Sequence, residues 1–186
     1  MACNLTIGRK IPCKDVVGGI KAVFFINYGT ALTFDGVDVD VIDDIQLVGG
    51  GAITALQYDV KGNSSFEQNI TSSRENGTTF FEQTLNLTLT KLTVQDHKEL
   101  KLLSFGRPHV VVQDYNGNAF LMGAEHGSDV SGGTMVTGAA MGDLSGYTLT
   151  LTAMEQVPAN FLSGATEANP FAGLTTAPTV VEGTNS

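Results

Sequence analysis

Apolar and polar residues alternate strictly across the centre of the chain. Leu85, Leu87 and Leu89 fall on one side of the run Phe80–Thr90, and Thr84, Asn86, Thr88 and Thr90 fall on the other. A period of two predicts a half-buried strand. The run Thr93–Leu103 predicts a short helix. Thr93 can accept from an amide of the first turn, Asp96 suits the positive helix end, and Gly106 is placed to close it in a left-handed conformation. Pro108 forbids continuation. His109–Gln113 and Ala119–Met122 then flank Asp114-Tyr115-Asn116-Gly117-Asn118, where the Asn-Gly pair predicts a hairpin.

The same reading extends to both ends. Ala22–Tyr28 predicts a buried strand, Val37–Val41 an alternating strand with Asp38 and Asp40 outward, and Ile45–Val48 and Ala52–Val60 two more. The polar stretch 61–77 is long for a connection inside a compact domain. With Phe66 and Ile70 as its apolar anchors, it predicts the tip of an extended hairpin arm; a plain surface loop is the alternative. Residues 124–133 read as a Gly-rich flexible loop, followed by strands at 134–140 and 146–153. From Pro158 the composition shifts to Ala, Gly, Thr, Pro and Asn. The expected organisation is therefore one β domain over 1–158 and a flexible tail or arm over 159–186, ordered only against a neighbour.

Composition adds class. Of the 186 residues, 42% are apolar, only 16% are charged and 22 are Gly, which suits a mainly β protein with many turns. No run of roughly 18 apolar residues is present to form a membrane-spanning helix. The first ten residues lack the apolar centre of a secretory signal, so synthesis in a cytosol is expected. On that ground Cys3 and Cys13 are expected as free thiols, and five Asn-x-Ser/Thr sequons carry no glycan meaning.

Charge is distributed unevenly. The net formal charge is −9, split as −3 over residues 1–60, +1 over 61–110 and −7 over 111–186. Arg107 is the last cation, leaving 79 residues without one. Such a chain is not built to grip phosphate backbones. A surface that nucleic acid must pass without sticking is compatible with it.

Candidate chemistry is sparse. Asp114, Asn116, Asn118 and Glu125 imitate the spacing of a calcium loop, but Ala119 stands where that loop demands Gly, and the hairpin reading is preferred. Asp35, Asp38, Asp40, Asp43 and Asp44 read as a solvated face. His97, His109 and His126 are dispersed, and only His126 has a sequence-adjacent carboxylate, Glu125. No nucleophile elbow, phosphate loop or Cys-x-x-Cys occurs. The expectation is a non-enzyme with no cofactor and no metal.

Several residues carry a resemblance. The opening Met1-Ala2-Cys3, Gly8-Arg9, Cys13-Lys14-Asp15, Gly18-Gly19-Ile20 and Tyr28 is similar to the start of structural proteins in phages of gut bacteria. So is the end, Gly138-Ala139-Ala140, Asp143, Gly146-Tyr147, Leu149, Leu151, Glu155 and Pro158-Ala159. Together with the order of strands, arm, helix and hairpin, the chain resembles a bacteriophage tail-tube protein or a short-tail ring protein. That resemblance implies a tail-tube-like β-sandwich or rolled sheet with one short flanking helix and a long hairpin arm. It also implies a homo-oligomeric ring, a hexamer or higher multiple, in the virion tail. The ring would be assembled in the host cytoplasm, touch neighbouring tail or neck proteins, and let DNA pass without stable binding or membrane insertion. Asp38, Asp40, Asp114 and Asp143 are the candidates to line the lumen, and Phe66 and Ile70 to reach a neighbouring subunit. A head-to-tail neck or collar ring is the related alternative. A small β-sandwich module binding carbohydrate or a receptor is the alternative of another class, for which the absence of Trp and the four Tyr count against an exposed aromatic cluster.

Overall fold

The computed structural model describes residues 7–11, 13–29, 31–33, 41–47, 50–60 and 62–183. Cys3, Asp35, Asp38 and Asp40 lie outside them. In chain order the elements are β1 (Ile20–Ile26), β2 (Ala31–Thr33), β3 (Val41–Ile42), β4 (Asp44–Gln46), β5 (Thr54–Asp59), β6 (Ser65–Ser73), β7 (Thr78–Thr90) and α1 (Val94–Leu103). They continue with β8 (His109–Asp114), β9 (Ala119–Met122), β10 (Asp129–Val136), β11 (Gly146–Glu155), β12 (Asn160–Leu162) and β13 (Thr179–Glu182). The protein is mainly β, with two principal sheets and one helix among the described residues. That helix is too short to cross a membrane.

A seven-stranded sheet, ordered β13-β5-β1-β8-β9-β12-β3, faces a four-stranded antiparallel sheet, ordered β10-β11-β7-β6. Between them Val23 and Phe25 of β1, Val110 and Val112 of β8 and Met122 of β9 pack against Leu85, Leu87 and Leu151. The alternate residues of the larger sheet, Ala22, Phe24, Ile26, Val111 and Leu121, enter a second core on its far face. Both faces of β1 and β8 are therefore buried, which is why they read as unbroken apolar runs, whereas the outer sheet alternates. At one flank α1 closes the space between sheets with Leu100 and Leu103.

The central pattern is realised closely. Thr93 Oγ1 accepts from the Asp96 amide at 3.0 Å and caps α1. β8 and β9 form the expected hairpin, with Gly117 at φ +82°. Gly106 does not close α1 in a left-handed conformation. The helix ends at Ser104, and the Gly106 amide donates to the Leu102 carbonyl at 3.1 Å.

Three further expectations are revised. The polar stretch, expected as the tip of a hairpin arm, is mostly the arm itself: its residues 65–73 form β6, which pairs with β7 from Ser65–Asn86 to Ser73–Thr78 and leaves only residues 74–77 as the tip. The polar alternation of an exposed edge strand conceals it, because apolar contrast is weak where Phe66 is the one apolar side chain of β6 packed against the core. Thr78–Phe80 pair with β6 alone, since β11 begins pairing at Phe81, so the hairpin end runs past its neighbour. Residues 129–133 belong to β10 rather than to a flexible loop.

The third revision concerns the tail. Residues 159–183 fold back onto their own chain. β12 joins the large sheet beside β9, and β13 runs parallel to β5. Phe171 and Leu174 are buried in the far core, and Phe171 meets Phe24 edge-on at 5.1 Å. The buried Asp44 carboxylate accepts from the Thr176 amide and hydroxyl, each at 3.0 Å. A Cβ on Gly173 would stand 2.1 Å from the Ser163 carbonyl oxygen, so only glycine permits this crossing. The apolar residues here are single and unperiodic. Their burial depends on a core that the rest of the chain has already built.

Candidate functional site

The two sheets differ in width, and the uncovered flank becomes a groove of about 820 Å³. Phe66 leans inward from edge strand β6 and stacks on Phe120 of β9 with ring centroids 6.1 Å apart. Phe120 in turn meets Phe161 of β12 at 4.7 Å, and Phe161 remains 48% exposed. Gln68 braces one wall by accepting from the Ala159 amide at 2.7 Å. Asn116 braces another, accepting from the Val17 amide at 2.9 Å and donating to the Val17 carbonyl at 2.7 Å. Asp114 is the one charged lining residue. Burial pushes its carboxyl up, but hydrogen bonds from the amides and side chains of Asn118 and Asn116 outweigh that and hold it below the ordinary carboxylate value. It stays ionised at neutral pH.

The exposed face of the four-stranded sheet is a second surface of note. Register places Glu67, Thr84, Thr152 and Asp129 in one cross-strand row, Ser65, Asn86 and Thr150 in the next, and Thr88, Thr148 and Thr134 beyond. Thr134 and Thr148 hydroxyls lie 2.6 Å apart, and Thr150 donates to Asn86 Oδ1 at 2.9 Å. None of β6, β7, β10 or β11 contains Lys or Arg. The rows are hydroxyl-rich with Glu67, Glu82 and Asp129 as their acids, and Asp129 is paired with Arg107 at 3.3 Å.

A third cluster pins a loop to the end of β11. The Glu155 side chain is fully buried. One oxygen accepts from the amides of Glu125 (3.2 Å) and His126 (2.9 Å), and the other lies 2.9 Å from His126 Nδ1. The Glu155 hydrogen bond and charge raise the His126 pKa, against a smaller opposing effect of desolvation. Glu125, His126 and Glu155 present donor atoms within 4.8 Å of one another. By donor type they can hold a metal ion, but both oxygens of Glu155 are already engaged by the loop.

The sequence-derived candidates scatter. Asp114 braces its own hairpin, and Asp143 accepts from the amides of Ala139 and Ala140 at 2.9 and 2.7 Å, which holds its pKa down. Neither lies on the exposed sheet face. Phe66 is half-buried against its own core, whereas Ile70 is 67% exposed. Phe120 and Phe161 escaped notice because the groove joins residues far apart in sequence. Glu155 had a readable signal: it continues the inward series Tyr147, Leu149, Leu151, Ala153, and an acid at an inward position needs partners. Compared with known proteins, the chain matches no protein-family model, no curated protein and no solved structure.

Proposed function

We propose that this protein is a bacteriophage virion structural protein forming a ring, or a stack of rings, around the DNA-ejection channel of a tail. The supporting observation is the four-stranded sheet. Its two outer strands, β10 and β6, are antiparallel to their neighbours and run in opposite directions. Placing β6 of one copy beside β10 of the next therefore continues a regular antiparallel sheet. Repetition is head-to-tail, a contact that generates rings when the rotation closes, and closure removes both edges. The exposed hydroxyl-rich face then becomes the bore. No Lys or Arg lies on its strands, and Arg107, which reaches its margin, is paired with Asp129, so the face offers DNA little to trap a phosphate. Glu67 and Glu82, rather than Asp114 and Asp143, supply the carboxylates on this face.

Light scattering and electron microscopy of the purified protein test the reading. The wild-type chain should assemble into a discrete ring or tube. A Ser131→Lys/Thr134→Lys variant, which charges the β10 edge, should keep its circular dichroism yet remain small. A wild-type chain that stays monomeric at high concentration excludes ring formation.

The aromatic groove favours a second reading, a β-sandwich module binding carbohydrate or a receptor. Saturable glycan binding by a monomer, lost on Phe161→Ala, would select it.

A further inference from the structure

We propose that the groove walled by Phe66, Phe120 and Phe161 receives residues 7–16 of a second copy of this chain. The inference rests on the self-assembly reading and names a contact separate from the sheet edges. The described residues from Ile7 to Gly19 are all exposed. They include Ile7 at 88%, Ile11 at 98% and Val16 at 74% exposure, which leaves apolar side chains with nothing to cover them. The segment is also basic, with Arg9, Lys10 and Lys14 against the single acid Asp15. A proline following Ile11 in the sequence disfavours helix at Ile11. In an extended chain Ile7 and Ile11 share one side.

The groove has the complementary character. It is apolar, contains no Lys or Arg, and carries the ionised Asp114 at its rim. Its volume lies in the range of sites that hold a few side chains. Its own copy of the segment does not fill it. Val17 lines the rim, with both its backbone polar groups tied to Asn116, and the described residues upstream of it are exposed. A basic, apolar segment therefore leaves each molecule beside an open, cation-free, aromatic groove. Exchange between copies satisfies both, and it is again head-to-tail.

The test uses a fluorescent peptide spanning residues 7–16 and full-length protein carrying Ile7→Asp/Ile11→Asp, which keeps its groove open. Fluorescence anisotropy should show saturable binding that weakens about tenfold or more in Phe161→Glu and also in Phe161→Ala, with circular dichroism confirming that both fold. Absence of peptide binding overturns the inference. So does a wild-type chain that is monomeric and refuses the peptide, because the segment would then fill its own groove. The Ser131→Lys/Thr134→Lys variant separates the two proposals. Peptide binding with no edge-dependent assembly counts against the ring alone, and edge-dependent assembly without peptide binding counts against the groove alone.

Discussion

The imidazole of His126 sits 2.9 Å from the buried carboxylate of Glu155 and joins a loop at residues 123–128 to the end of β11. Because Glu155 raises the His126 pKa, the charged imidazole is favoured in the folded chain. Its contribution is fully present below the unfolded value near 6.5 and fades as pH rises through the higher folded value. Thermal melts should therefore show stability falling above about pH 6.5, and His126→Gln should remove that slope. A pH profile identical in the two proteins would show that the pair does not hold the loop.

Gly117→Val tests the hairpin that carries one wall of the groove. The residue has φ +82°, and an added Cβ would stand 3.0 Å from the Glu167 amide nitrogen. The substitution should destabilise by about 1 kcal/mol or more, read as a lower denaturant midpoint. An unchanged midpoint would contradict both the strain and the contact with the 163–176 segment.

Phe171→Ala asks whether the C-terminal segment is part of the core. Phe171 is 3% exposed and packs on Phe24, so truncation should cost about 3–5 kcal/mol. A flexible tail would instead leave the melting temperature where it was.

Ile70→Ser separates assembly from folding. Ile70 is 67% exposed near the end of the β6–β7 hairpin, so the monomer should melt as before. Assembly measured by light scattering should weaken if the hairpin reaches a neighbour, and equal assembly would confine Ile70 to the surface of its own chain.

Glu67→Lys/Glu82→Lys addresses the sheet face. Wild-type assemblies should retain little duplex DNA at low salt. The variant should retain it, and retention should fall steeply as salt rises. Strong retention by the wild type would remove the argument for a non-adhesive bore.

The alternation at Leu85–Thr90, the Thr93 cap and the Asn116-Gly117 turn were legible because each is decided within a few residues, by side-chain period, an orphan amide or a backbone angle. The unbroken apolar runs of β1 and β8 likewise announced burial, though not that they divide two cores. Tertiary structure alone decided the rest. β6 is a strand because β7 pairs with it, and Phe171 is buried because Phe24 already waits there. Phe66, Phe120 and Phe161 form a groove only because two sheets of unequal width leave one flank open. Asp114 and Asp143 were candidates to line a lumen, but the amides that claim them appear only when their turns close. Local pattern reports which way a side chain must face; what it meets there depends on strand order and register, which no short stretch of sequence contains.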